Sequence, residues 1–186
     1  MIALKESITH YYDINNHHTP YYFSRELTSI LHQEKQQDQE LIFLCIGSDR
    51  ATGDSLGPLV GHKLTQLPRF RNAIYGTLAH PVHAKNLELT IDKIKKAHKR
   101  AFIIAIDASL GTNEHIGYIS LKSGSLKPGA GVSKTLPAVG HVSITGIVNA
   151  SSMLDHMLLQ TTRLHLVMQL ADSICLGLRY TFPSSL

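Results

Sequence analysis

The sequence predicts a single-domain α/β protein, a three-layer α/β/α sandwich built on a mostly parallel sheet. Three observations carry that expectation. Two runs, Leu41-Ile-Phe-Leu-Cys-Ile46 and Ala101-Phe-Ile-Ile-Ala-Ile106, are apolar without interruption, as strands covered on both faces must be. Around them lie stretches with apolar residues every three or four positions, the spacing of one buried helix face. Strands alternating with such helices pair in parallel and carry helices on both faces. The 186 residues suit one domain, and no repeat, low-complexity linker or composition break divides them. We expect residues 1–22 to form an N-terminal extension and 23–186 the domain.

In chain order, Phe23 to about Gln36 reads as a helix, with Ser24 as its cap and Leu27, Ile30 and Leu31 on one face. The polar stretch Gln33–Glu40 separates it from the first buried run. A helix from about Leu56 to Gln66 follows, then a short strand over Ala73–Thr77. Asn86 to about Lys99 is helical by the spacing of Leu87, Ile91 and Ile94. The second buried strand ends in Asp107. Ile116–Leu121 and Val142–Val148 are further strands, joined by a loop rich in proline and glycine. Ser152 to about Leu178 reads as one long helix, its apolar residues running from Leu154 to Leu178 at helical spacing.

Composition narrows the function classes. Apolar residues make up 43% and charged residues 17%, ordinary for a globular chain and unlike a disordered one. The formal charge of +4 is too diffuse to point to nucleic acid. The five cations of Lys93–Arg100 fall at a predicted helix C-terminus, where they complement the macrodipole. No run approaches the roughly 18 apolar residues of a membrane span, and Met1–Asn16 lacks the pattern of a signal peptide. Cys45 and Cys175 lie in separate apolar elements and build no disulfide framework. A reduced, cytoplasmic protein is expected, with neither nucleic acid nor membrane as its partner and a second copy of the chain as an open partner.

In a parallel sheet, sites form beyond the carboxyl ends of the strands, where loops converge and helix N-termini point inward. That rule selects Gly47–Pro58, Asp107–Gly111 and Lys127–His141. The first segment has no phosphate-loop spacing, so a nucleotide site is the least favoured reading. It does place Asp54 at a helix start, where Asp54 or Ser55 could equally act as a cap. Asp107 follows a buried run, where an unpaired carboxylate is costly. Two aspartates ending the two most buried strands can face each other across the crevice, an arrangement that suits activation of a water or a divalent cation. His80 and His83 follow the Ala73–Thr77 strand and can reach the same place, and His141 ends the third loop. Cys45 has no evident base, and no G-x-S-x-G elbow or Cys/His zinc spacing occurs.

The segments Cys45–Pro58, Gly76–Leu87, Ile106–Gly111, Lys127–Val132, Val139–Asn149 and Leu159–Leu164 together resemble the YyaC family of sporulation proteins, over about residues 20–180. That family is similar to the spore germination protease and, more distantly, to hydrogenase-maturation endopeptidases. The resemblance implies a phosphorylase/hydrolase-like three-layer sheet and a protease-like site. It matches the protease's aspartate motif to Thr52-Gly-Asp-Ser-Leu-Gly-Pro58, with Asp54 aligned and Gly53 where the protease has proline. A second functional aspartate, in an Ile-Asp-Ala context, falls on Asp107. The expected catalytic pair is therefore Asp54 and Asp107, supported by Gly129, Gly131, Lys134, His83 and Asn86, with the amides of Gly129–Gly131 or Lys134 as oxyanion donors. The hydrogenase-maturation enzymes imply a divalent metal held by Asp54, Asp107 and His141 as the one cofactor to consider. Peptide hydrolysis, with small acid-soluble spore proteins as candidate substrates, is the leading expectation. A non-catalytic relative that kept the crevice to bind a protein or a metal is the alternative.

Overall fold

A computed structural model describes residues 8–68, 70–129, 136–152 and 155–183. The elements run β1 (Thr9–Asp13), α1 (Thr19–Glu34), β2 (Glu40–Cys45), a single 3₁₀ turn (Gly53–Ser55), α2 (Leu56–Thr65), β3 (Ala73–Tyr75) and α3 (Leu87–Ala97), then β4 (Ala101–Gly111), β5 (Tyr118–Ser123), β6 (Val142–Ala150), α4 (Asp155–Thr161) and α5 (Leu164–Thr181). Six strands form one mixed sheet in the order β1-β5-β6-β4-β2-β3. The four strands β3, β2, β4 and β6 are parallel, while β5 and β1 add antiparallel pairings at one edge.

The unbroken apolar run of β2 follows from burial on both faces. Leu41, Phe43 and Cys45 join one core with Phe23 and Leu27 of α1, Leu56 and Val60 of α2, and Leu170 and Ile174 of α5. Ile42, Leu44 and Ile46 join a second core, on the opposite face, with Leu87 and Ile94 of α3. In β4 the same alternation puts Phe102, Ile104 and Ile106 in the first core and Ala105 in the second. Asp107 has the parity of Ala105 and so belongs to the α3 face.

Several boundaries differ from the sequence reading, each for a physical reason. Helix α1 starts at Thr19, with Pro20 in its first turn, and Ser24 is inside it, donating to the Tyr21 carbonyl at 2.8 Å instead of capping. Strand β4 does not end at Asp107 but continues to Gly111, because β6 runs beside it, with Asp107 opposite Thr145 and Gly111 opposite Ala150. The long C-terminal helix is two. The Leu158 carbonyl accepts from Thr162 Oγ1 at 2.8 Å and from Asn149 Nδ2 at 3.1 Å, and Arg163 is extended at ψ 124°. Side chains thus take over the carbonyl that a continuing helix would use. Within the stretch 1–22, set apart as an extension, β1 pairs with β5 and α1 begins.

Helix α2 lies directly on the end of β2. A Cβ at Gly57 would stand 2.0 Å from the Ile46 carbonyl oxygen, and one at Gly61 would stand 1.9 Å from that of Gly76. Gly57→Ala should therefore cost about 3 kcal/mol or more, since backbone cannot yield to the methyl. Gly124→Ala, at φ +108° but with nothing within 4 Å, should cost only about 1–2 kcal/mol. Urea unfolding of the two variants beside wild type measures the difference.

Candidate active site

The site lies where β2 leaves the sheet. Cys45 is the last residue of β2 paired with β4, opposite Ile106, and the Ile46 amide makes one more bond to the Ile106 carbonyl at 2.7 Å. The chain then turns away at Gly47, whose φ of +135° suits glycine. Its amide donates to the Val82 carbonyl at 2.7 Å, tying this turn to the loop after β3. Because β4 continues while β2 stops, Asp107 sits in a strand whose neighbour has gone. The chain from β2 crosses to β3 on one side and the chain from β4 to β6 on the other, so the gap is the switch point of the sheet.

A cleft of about 290 Å³ opens there, near the lower end of the roughly 300–1,000 Å³ usual for ligand cavities. Asp54 and Asp107 both line it. Asp54 comes from the 3₁₀ turn, held by the Ser48 amide, which donates to the Asp54 main-chain carbonyl at 3.0 Å. Neither Asp54 nor Ser55 caps α2 with its side chain; Ser55 Oγ donates instead to the Thr52 carbonyl at 2.6 Å. The capping role that position alone allowed is not used, and the Asp54 carboxyl faces the cleft.

Asp107 is only 6% exposed. Burial pushes its carboxyl well above the ordinary carboxylate range, the Asp54 charge pushes it further, and the Ala108 amide, donating to Oδ1 at 2.8 Å, opposes them. Burial also raises Asp54, against the Ser48 amide and the charge of His83. The pair therefore holds a proton at pH values where free carboxylates have lost theirs, and Asp54 is the member better supplied to lose it first.

His83 lines the same cleft. Its Nδ1 accepts the Lys85 amide at 3.3 Å, which assigns the proton of the neutral ring to Nε2. Asn86 is not in the cleft wall. Its Oδ1 accepts the His83 amide at 2.8 Å and its Nδ2 donates to the Pro81 carbonyl at 3.0 Å, so it holds the loop that presents His83. Gly129 reaches the cleft from the β5–β6 connection, while Gly131 and Lys134 lie outside the described residues.

His141 is not brought to the aspartates. It precedes β6 at the far end of the sheet, four residues before Thr145, about 13 Å along the strand. There its Nδ1 accepts the Ile103 amide at 2.9 Å and its ring stacks on Phe102 at 4.8 Å. Among the described residues, no three His, Cys, Asp or Glu side chains are grouped to hold a metal ion. The ligand set Asp54, Asp107 and His141 does not fit, and no step below runs through a metal. Sequence reasoning also missed Arg50, Lys85 and Gln160, which line the cleft. Arg50 and Lys85 fall inside segments already singled out, and their signal was a cation in a loop at the carboxyl edge.

The raised Asp107 carboxyl has a consequence for stability. The folded state keeps this proton where the unfolded chain releases it, so stability falls as pH rises from about 4 toward the folded pKa and stays reduced above it. Asp107→Asn keeps an acceptor for the Ala108 amide but cannot ionise. Its urea midpoint should exceed that of wild type at pH 8, and the gap should close as pH falls to 4.5.

The chain is 46% identical over 166 residues to YyaC of Bacillus subtilis (strain 168), covering 88% of this chain and 81% of the relative. Among solved structures, the NiFe hydrogenase maturation protease HycI from Thermococcus kodakarensis KOD1 matches with a TM-score of 0.44 and 17% identity, over 80% of this chain and 98% of that one. The family model described as a protein of unknown function, DUF1256, matches residues 11–177. With nine-tenths of its length inside that match, the chain belongs to the DUF1256 family.

Proposed function

We propose that the protein is a peptide hydrolase in which Asp54 and Asp107 share the activation of one water. The observation that carries this reading is the pair itself: two carboxyls from different elements line one cleft at the sheet's switch point, and the charge of one raises the pKa of the other. That arrangement costs folding stability and has no capping or ion-pairing use to offset it. Asp54 in its ionised form takes a proton from the water, whose oxygen bonds to the peptide carbonyl carbon. Asp107 in its protonated form gives its proton to the carbonyl oxygen. The C–N bond then breaks as the nitrogen takes the proton held by Asp54 and one of the two hydroxyls on carbon returns its proton to Asp107, leaving a carboxylic acid and an amine with both carboxyls restored. Nε2–H of His83 is a donor at the cleft wall for the developing oxyanion.

The resemblance of Thr52–Pro58 and of Asp107 to motifs of the spore germination protease supports the same reaction class. They make small acid-soluble spore proteins the first substrates to try, in the cytoplasm of a sporulating cell. No described helix is long and apolar enough to cross a membrane.

The test is intact-mass analysis of those proteins and of a mixed peptide library after incubation with wild type, Asp54→Asn and Asp107→Asn. Wild type should produce defined fragments and each variant should lose between about 10² and 10⁴ in rate while staying folded. The rate should be bell-shaped in pH, rising as Asp54 ionises and falling as Asp107 does. Intact substrates under every condition would instead favour a binding protein that keeps the crevice without chemistry.

A further inference from the structure

The cleft carries two cations that nothing in the reaction above uses. Arg50 comes from the turn after β2 and Lys85 from the loop after Val82, and both line the opening around the aspartates. Their backbones are occupied locally, the Arg50 amide on Ser48 Oγ at 3.3 Å and the Lys85 amide on His83 Nδ1 at 3.3 Å. Their charged ends are not. Among the described residues the cations in ion pairs are His10, Lys63, His98 and Arg100, and neither Arg50 nor Lys85 has a side-chain hydrogen bond or an ion pair.

Two other cations, Lys63 and Arg100, are placed for structure. Lys63 bonds Asp172 at 2.8 Å between α2 and α5, and Arg100 pairs with Asp38 and Gln36 beside the start of β4. Arg50 and Lys85 instead reach toward a cleft whose remaining walls include the apolar Ala51, Ala84, Leu136 and Leu159. Such walls seat an uncharged portion of a ligand and lower the local dielectric, which strengthens a charge-assisted bond at the rim. A guanidinium fork and an ammonium on two facing loops match one carboxylate, the first in a bidentate manner and the second as a point charge.

We propose that Arg50 and Lys85 are specificity residues that bind a carboxylate of the peptide, so that the preferred ligand carries an Asp or Glu side chain, or its own free C-terminus, next to the residue seated in the cleft. This assignment rests on reading the cleft as a peptide site.

The test uses three acetylated peptides sharing one apolar tetrapeptide core. One is amidated and neutral, one is amidated with a glutamate added, and one has a free C-terminal carboxylate. Calorimetric titration of the full chain at low salt should give at least tenfold tighter binding for one or both carboxylate peptides than for the neutral one. Which of the two binds identifies the source of the carboxylate. In the double variant Arg50→Gln/Lys85→Gln, whose melting temperature should match wild type because both side chains are exposed, the preference should fall below twofold. Equal binding of neutral and anionic peptides, no binding of any peptide, or a preference that survives in the double variant would each overturn the assignment. Carboxylate-selective binding lost in the double variant, with no fragments in the mass analysis, would uphold the rim and remove only the hydrolase reading.

Discussion

Everything at the site depends on main chain packed against main chain at the end of β2. Gly57 brings α2 against the Ile46 peptide, Gly61 brings it against Gly76, and a Cβ at Gly47 would stand 2.0 Å from the Asp54 carbonyl oxygen. These contacts leave no room for side chains between the helix and the strand end. The 3₁₀ turn that carries Asp54 is thereby pressed over the point where β2 leaves the sheet, and Asp107 lies uncovered in the neighbouring strand. Gly53 extends the same logic outward, since a Cβ there would stand 2.9 Å from Thr162 Oγ1. That contact seats α4 on the turn, and Leu159 and Gln160 of α4 complete the cleft wall.

This arrangement runs against stability, and the fold shows where the opposing terms come from. A buried carboxyl beside another carboxyl is unfavourable when ionised, and only the Ala108 amide on Asp107 and the Ser48 amide and His83 near Asp54 counter it. Two apolar cores, one on each face of the sheet, supply the favourable term. Burial of side chains such as Phe23, Phe43 and Phe102 contributes of order 2–3 kcal/mol each. The buried carboxyls are therefore concentrated at the cleft, while the two cores on either side of the sheet are consistently packed.

The parts of the fold that were legible in the sequence are those set by local pattern. The two uninterrupted apolar runs became β2 and β4 because each alternates its side chains between two cores, and the helices announced themselves by spacing. The pairing of Asp54 with Asp107 was legible because both follow buried runs toward one sheet edge. What could not be read depends on partners far away in the chain. The continuation of β4 past Asp107 exists because β6 lies beside it, and the break between α4 and α5 exists because Asn149 of β6 reaches the Leu158 carbonyl. The residues Thr9–Asp13 alternate too briefly to declare a strand until β5 offers them an edge. His141 was misplaced for the same reason. Its position is decided by bonds to Ile103 and stacking on Phe102, neither of which a count of residues from the nearest loop reveals.

The charges around the cleft divide according to the precision each needs. Asp107 is in a strand paired with β6, and Asp54 is in a turn clamped by backbone contacts, so rigid elements hold both. The proposed proton transfer between water, carboxyl and carbonyl needs such support, since hydrogen bonds weaken steeply when misaligned. Arg50 and Lys85 sit on loops at the ends of long, flexible side chains, which can follow a ligand's charge without fixing its path. His83 stands between the two classes, on a loop, but with that loop tied down by Asn86 at 2.8 and 3.0 Å. A fixed position suits the donor role proposed for its Nε2–H, whereas the proposed rim cations need only be within reach of what enters.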